Sequence, residues 1–363
     1  MNQIYIANTP YHLLLSCGLA AISGSSDKKY LIIIPAYSDS DIFYRSLTEW
    51  DKNPFYKIII AKSIVNVPGK IQPLRILRNN VKIIKTFFLD NINEACDVFV
   101  FNDRYPEAQI LARLNHDKGG FNTYVEDGSA AYNRSVASNM PACRKFICKL
   151  ALGMWFTDNS IIGTYKYIDK IMVNQPELVR LELSSKKLIK IPKNIFKDLK
   201  SFIYILFRNY SIEQTDLNAK SILIISHSDA VSRDLIEIYK YLIEHLSSRS
   251  NRVYVKYHPR EDDDDFLGVK SYSPQINIIP KTLPLEAVFI VLQGEDEPGI
   301  IVGDLSTSLL TAKYLFNTTI VISIVKLSSL TDINLEYIFE KIGVSMPKNF
   351  EDLKSLMNSN NSD

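Results

Sequence analysis

Three short stretches of the chain hold the residue types that proton transfer and phosphate binding need. In Glu126-Asp127-Gly128-Ser129, two acids and a glycine directly follow the apolar pair Tyr124-Val125. Glycine permits a tight turn that exposes a carboxylate to a ligand. A carboxylate in a semi-apolar cleft has its pKa raised by desolvation, which suits a general base. In Tyr257-His258-Pro259-Arg260, a histidine stands just past Val253-Tyr254-Val255-Lys256. Proline fixes the exit of the chain, so the imidazole is aimed, and Lys256 and Arg260 add positive charge. In Ser306-Thr307-Ser308, hydroxyls open an apolar pattern from Leu309 to Phe316. They either cap that helix or, with its free N–H groups, seat a phosphate. Taken singly, the first two stretches also read as ordinary turns; together the three give a base in one half of the chain and a phosphate site in the other.

Lesser candidates lie nearby. Ser226-His227-Ser228 follows a strand pattern and suits a nucleotide contact, and His12 is either an acceptor contact or a satisfied buried histidine. The acidic run Glu261 to Asp265 reads as a solvated loop rather than a metal site. No strand ends in Asp-x-Asp, and no Gly-x-Gly-x-x-Gly, phosphate-loop or His-Glu-x-x-His motif occurs. No metal is therefore expected.

Such side chains act only if rigid elements hold them. Ile4 to Ala7, Tyr30 to Ile34, Tyr56 to Ala61, Asp97 to Phe101, Thr123 to Val125 and Lys170 to Val173 read as strands with helical patterns between most of them. Thr9-Pro10 suits the start of the first helix, Tyr11 to Ile22. The second half restarts the alternation at Ser221 to Ile225, with further strands at Val253 to Tyr257, Ile276 to Ile279, Ile300 to Val302 and Thr319 to Val325. This order predicts an α/β protein of two doubly wound, Rossmann-like domains facing each other across a cleft. The expected boundaries are 1–185 and 219–350, with a basic linker at 186–218 and a polar tail at 351–363. Within the linker, lysines 186, 187, 190, 193, 197 and 200 precede the apolar run Phe202 to Phe207. That stretch reads as a solvated helical linker or as a basic amphipathic surface for anionic lipid or a charged glycolipid.

At 363 residues and 46% apolar, the chain has material for a core in each half. Lysine and arginine number 42 against 40 acids, so global charge does not hold it to nucleic acid. Cys17, Cys96, Cys143 and Cys148 show no metal spacing and read as reduced thiols. The start, Met1 to Ile6, reads as a strand and not as a signal peptide. A cytoplasmic protein is expected, with peripheral contact at the inner membrane and homodimerisation left open.

The three motifs together resemble those of the bacterial sialyltransferases of glycosyltransferase families 52 and 38, which include lipooligosaccharide sialyltransferases and capsule polysialyltransferases. Those families share an acidic-acidic-Gly motif, a His-Pro motif and a Ser/Thr-rich motif in this order. The opening Ile6-Ala7-Asn8-Thr9-Pro10-Tyr11-His12 is also similar to their N-termini, whereas the linker shows no match, and Thr307 stands where serine is common. The resemblance implies a GT-B fold, CMP-sialic acid as donor, inversion at the anomeric carbon and no cofactor or metal. It implies Asp127 as the base, His258 as the group that binds or protonates the departing phosphate, and Ser306, Thr307 and Ser308 as its seat. Pro259, Ser226, His227 and Glu286 go with the nucleotide, and Glu126, Asn8 and His12 with a glycan acceptor, terminal galactose being the expected sugar. Polysialyl transfer, transfer from CMP-Kdo and a non-catalytic scaffold of a capsule assembly complex are the alternatives.

Overall fold

A computed structural model describes residues 1–24, 27–37, 39–65, 67–69, 71–133, 140–212, 220–226, 231–249, 252–272, 276–294, 297–328 and 330–358. It divides into two units, Met1–Leu199 and Lys200–Asp363.

The first unit runs β1 (Gln3–Ala7), α1 (Pro10–Ile22), β2 (Lys29–Ile33), α2 (Ser40–Glu49), β3 (Lys57–Ile60), α3 (Ile71–Asn91), β4 (Asp97–Val100), α4 (Pro106–Asp117), β5 (Phe121–Val125), α5 (Ala142–Leu152), β6 (Lys170–Val173), α6 (Leu181–Ser184) and β7 (Lys187–Lys190). Its seven strands lie in the order β3-β2-β1-β4-β5-β6-β7, and every pairing is parallel. Strands β1 and β2 are almost wholly buried, as the continuous apolar runs of a sheet covered on both faces require. Helix α1 starts where the sequence places it. Thr9 Oγ1 accepts the His12 N–H at 3.3 Å, and Pro10 occupies the first turn, where its missing N–H costs nothing. Gly18 is required for packing, because a Cβ there would stand 2.5 Å from the Ile195 carbonyl oxygen.

The second unit runs α7 (Lys200–Asn209), β8 (Ser221–Ile225), α8 (Arg233–Arg249), β9 (Val253–Tyr257), α9 (Val269–Tyr272), β10 (Ile276–Ile279), α10 (Leu285–Leu292), β11 (Ile300–Gly303), α11 (Ser308–Leu315), β12 (Ile320–Ser323), α12 (Ile333–Ile342) and α13 (Phe350–Asn358). Its five parallel strands lie in the order β10-β9-β8-β11-β12. Leu235, Tyr239, Leu242 and Leu246 of α8 pack with β8, β9 and β11 residues and with Leu353 and Met357 of α13. The stretch 351–358, expected as part of a polar tail, is thus a helix that closes this core.

Of the stretch expected as a linker, 186–218, residues 186–212 are described, and they hold β7 and α7. β7 extends the first sheet beyond the strand expected to end it, as an edge strand whose two lysines are exposed, and charged edges of this kind discourage further pairing. Phe202, Ile203, Leu206 and Phe207 of α7 are buried, and α7 packs on α10. The apolar run is therefore core of the second unit and not a lipid-facing surface. Among the described residues no helix is long and apolar enough to cross a membrane.

Candidate active site

In a parallel sheet all the strands end on the same edge, and ligands gather where the strand order reverses. In the first sheet that point lies between β1 and β4. The turns leaving β1, β4 and β5 bring His12, Asn102 and Asp127 together there. His12 Nε2 lies 2.8 Å from Asp127 Oδ1, and Asn102 Nδ2 donates to Asp127 Oδ2 at 3.2 Å.

Each partner is itself fixed. The Asn8 N–H donates to His12 Nδ1 at 3.2 Å, so the neutral ring carries its proton on Nε2 and donates it to Asp127. The ring is fully buried and stacks on Phe101, with centroids 4.7 Å apart. Asn102 Oδ1 accepts the Arg104 N–H at 3.1 Å, which turns its amide nitrogen toward Asp127. The next residue, Asp103, is buried and accepts N–H groups from Gly163 (2.9 Å) and Tyr165 (2.7 Å). Burial pushes its carboxyl up to about 6. Gly128, at φ +55°, adopts the left-handed conformation that glycine tolerates, so the chain turns sharply after Asp127. That carboxylate keeps 25% of its side-chain exposure, and each of its oxygens retains lone-pair capacity for one more donor.

The titration of Asp127 differs from the sequence expectation. Burial does push its carboxyl up, but the electrostatic pull and hydrogen bond of the His12 N–H and the hydrogen bond from Asn102 outweigh it, and the pKa lies below the ordinary value. The raised acid of the motif is Glu126. Burial lifts it to about 7 against hydrogen bonds from Asn174 and Tyr132. Its oxygens accept the Asn174 N–H at 2.8 Å, the Asn174 amide at 2.9 Å and the Tyr132 hydroxyl. Glu126 therefore ties the end of β5 to the turn after β6, and only 3% of it is exposed. The carboxylate expected from sequence to meet an acceptor has its oxygens engaged within the first unit. Asn8 is likewise 1% exposed, and its side-chain amide makes no hydrogen bond among the described residues; buried amides of this sort are normally satisfied by water or a ligand. His12 is a fully buried histidine whose two ring nitrogens are engaged by the Asn8 N–H and by Asp127.

The positioning role of His12 has a measurable consequence. His12→Phe keeps the ring stack on Phe101 but removes the donor to Asp127. Burial then dominates, the Asp127 pKa rises, and the acid limb of the kcat/KM–pH profile moves to higher pH. His12→Gln, which retains an N–H donor, is expected to move it less. An acid limb unmoved by both variants would show that His12 does not set the ionisation of Asp127.

The second unit repeats the arrangement, with its order reversing between β8 and β11. His258 leaves β9 half-buried, and its Nδ1 accepts the Arg260 N–H at 3.1 Å. Neutral His258 thus carries its proton on Nε2, oriented by backbone as His12 is. Two strands away, Ser306 Oγ accepts the Ser308 N–H at 3.3 Å, and Ser308 Oγ donates to Glu286 Oε1 at 3.1 Å. Thr307, exposed, is the residue before α11 and makes no side-chain capping bond. Its hydroxyl is not consumed by the helix. Burial raises the Glu286 carboxyl, with its own backbone N–H, Ser308 and Lys256 acting the other way. Burial lowers the Lys256 ammonium to about 7 against the pull of Glu286. Lys256 Nζ donates to the carbonyls of Tyr257 (3.0 Å) and Lys281 (2.6 Å). Ser226 lies at the end of β8, where its N–H meets the Tyr239 hydroxyl at 3.4 Å, whereas His227 lies outside the described residues. Among the described residues no cluster of three His, Cys, Asp or Glu is arranged to hold a metal ion.

Asn102 holds Asp127, and Lys256, which the sequence offers as added positive charge, is buried and bonds the carbonyls of Tyr257 and Lys281 instead. Asn102 had a signal, since it directly follows a predicted strand beside the first one.

Solved structures with the same arrangement of elements cover nearly all of the chain. The UDP-GlcNAc 2-epimerase of Methanocaldococcus jannaschii matches with a TM-score of 0.57 and 14% identity over 98% of this chain and 92% of that one. MnaA of S. aureus, solved with UDP, gives 0.54 and 12% over 100% and 89%. The UDP-GlcNAc 2-epimerase of Neisseria meningitidis bound to UDP-GlcNAc gives 0.50 and 12% over 99% of both chains. At these identities the likeness defines the fold, and the fold is GT-B. No curated protein sequence matches the chain. The model of the alpha-2,8-polysialyltransferase family matches residues 3–325, most of the chain, and the chain belongs to that family. It is a glycosyltransferase of the sialyltransferase kind.

Proposed function

We propose that the protein moves sialic acid from CMP-sialic acid to the end of a bacterial surface glycan, with inversion and without a metal. Asp127, ionised and aimed by His12 and Asn102, takes the proton of the acceptor hydroxyl. The freed oxygen forms a bond to the anomeric carbon, and the bond from that carbon to the phosphate oxygen of CMP breaks, its electron pair leaving with the phosphate. A low pKa makes Asp127 a weak base at rest. That suffices here, because a hydroxyl becomes strongly acidic as it bonds to an electron-poor anomeric carbon. His258 Nε2–H, with the hydroxyls and N–H groups of Ser306 and Thr307, receives the charge growing on the leaving phosphate, while Ser308 directs its own donors to Ser306 and Glu286. The observation that carries this reading is a carboxylate one-quarter exposed, held on both oxygens at the reversal point of the first sheet.

For the acceptor, the family's description favours a glycan ending in sialic acid, extended through an α2,8 linkage, over the terminal galactose expected from the sequence. Incubating the protein with CMP-sialic acid and a panel of sialosides and lactosides, followed by linkage analysis, tests this. The expected product is an extended sialoside of inverted configuration. Transfer to lactosides alone would restore the galactose reading, and no release of CMP with any acceptor would refute both.

A further inference from the structure

Helix α5 has an apolar outer face that stays exposed among the described residues. Phe146 is 63% exposed, Ile147 51%, Leu150 70% and, just past the helix, Met154 79%. Their spacing puts them on one side of the helix at about 3.6 residues per turn, while Cys148 and Leu152 on the opposite side are buried. Arg144 and Lys149 flank the exposed arc on its two edges, and Lys145 pairs with Asp158 at 3.1 Å.

The neighbouring helix strengthens the pattern. α3 packs against α5, with Lys85 Nζ 5.9 Å from the centroid of the Trp155 ring. Arg75, Arg78, Lys82 and Lys85 on α3 join Arg144, Lys145 and Lys149 on α5, and the two helices carry one acid, Asp90. Leaving aside Lys145 with its partner Asp158, six cations stand against one acid, in a chain whose net charge is only +2. Apolar side chains flanked by arginine and lysine are the signature of a helix that lies in a lipid interface.

We infer that α5, backed by the cations of α3, docks the protein on an anionic lipid surface, with Phe146, Ile147, Leu150 and Met154 entering the headgroup layer. This reading does not depend on the donor or the acceptor. A polyanionic sugar would be served by the cations but has no use for four exposed apolar side chains. A symmetric contact with a second copy would bring the same cations face to face.

The test is co-sedimentation of the full chain with phosphatidylglycerol–phosphatidylethanolamine vesicles and with phosphatidylcholine vesicles. Binding is expected to the anionic vesicles only. Phe146→Ser with Leu150→Ser is expected to weaken it by about tenfold or more, and each of Arg144→Glu and Lys149→Glu by about fivefold or more. All four side chains are exposed or half-buried, so thermal unfolding of the variants should match the wild type. No vesicle binding, equal binding to both lipids, or binding unchanged by the apolar pair would overturn the inference. So would light scattering that shows a dimer lost in the apolar variant, or soluble polysialic acid binding that depends on the same apolar residues.

Discussion

Asp127→Asn is expected to reduce transfer from CMP-sialic acid by roughly a hundredfold to ten-thousandfold, the range that removal of a positioned general base produces. The substitution keeps the size of the side chain and one oxygen to accept from His12, but an amide cannot take up the acceptor proton. Its cost in stability is small and local. The new amide nitrogen faces the Asn102 Nδ2 donor, and Asn102 cannot easily turn because its oxygen is engaged by the Arg104 N–H. One unmade hydrogen bond of this kind costs about 1–3 kcal/mol. A modest fall in Tm with near-complete loss of transfer is therefore the expected pair of results. Initial rates with saturating donor check it, and a rate within a few fold of wild type would remove Asp127 from the chemistry.

The second large effect belongs to His258. His258→Asn offers an oxygen where Nδ1 now accepts the Arg260 N–H, so the turn after β9 is expected to survive. What is lost is the Nε2 proton. Removing one preorganised donor from a developing oxyanion typically costs on the order of a hundredfold to a thousandfold in kcat. Unlike Asp127→Asn, this substitution should also weaken binding of free CMP, because the phosphate remains after transfer. Steady-state kinetics together with CMP titration separate the two effects. Unchanged kcat with unchanged CMP affinity would exclude His258 from the phosphate site.

Much of this arrangement was legible in the sequence, because parallel strands reveal their C-terminal ends. Runs such as Ile4 to Ala7 and Val253 to Tyr257 are continuous and apolar, and residues just beyond them fall on the ligand edge of the sheet by construction. The edge strand Lys187–Lys190 is the opposite case: two apolar residues between lysines carry no strand signal without a neighbour to pair with. Phe202 to Phe207 follows a lysine-rich stretch whose charge favours a solvated surface, yet the unbroken apolar run is buried. The pairing of His12 with Asp127 spans 115 positions and has no local signature. The direction of the Asp127 titration followed it out of sight. Burial alone favours a raised value, and only the geometry of His12 and Asn102 reverses it.

In the proposed reaction Asp127 removes the proton and His258 receives the departing phosphate, and the two residues lie in separate units of the chain. Calorimetric titration of CMP into the wild type, Asp127→Asn and His258→Asn tests it most directly. Wild-type affinity is expected for the Asp127 variant, which has nonetheless lost transfer, and weakened affinity for the His258 variant. Equal weakening in both, or weakening in the Asp127 variant alone, would contradict this division of labour.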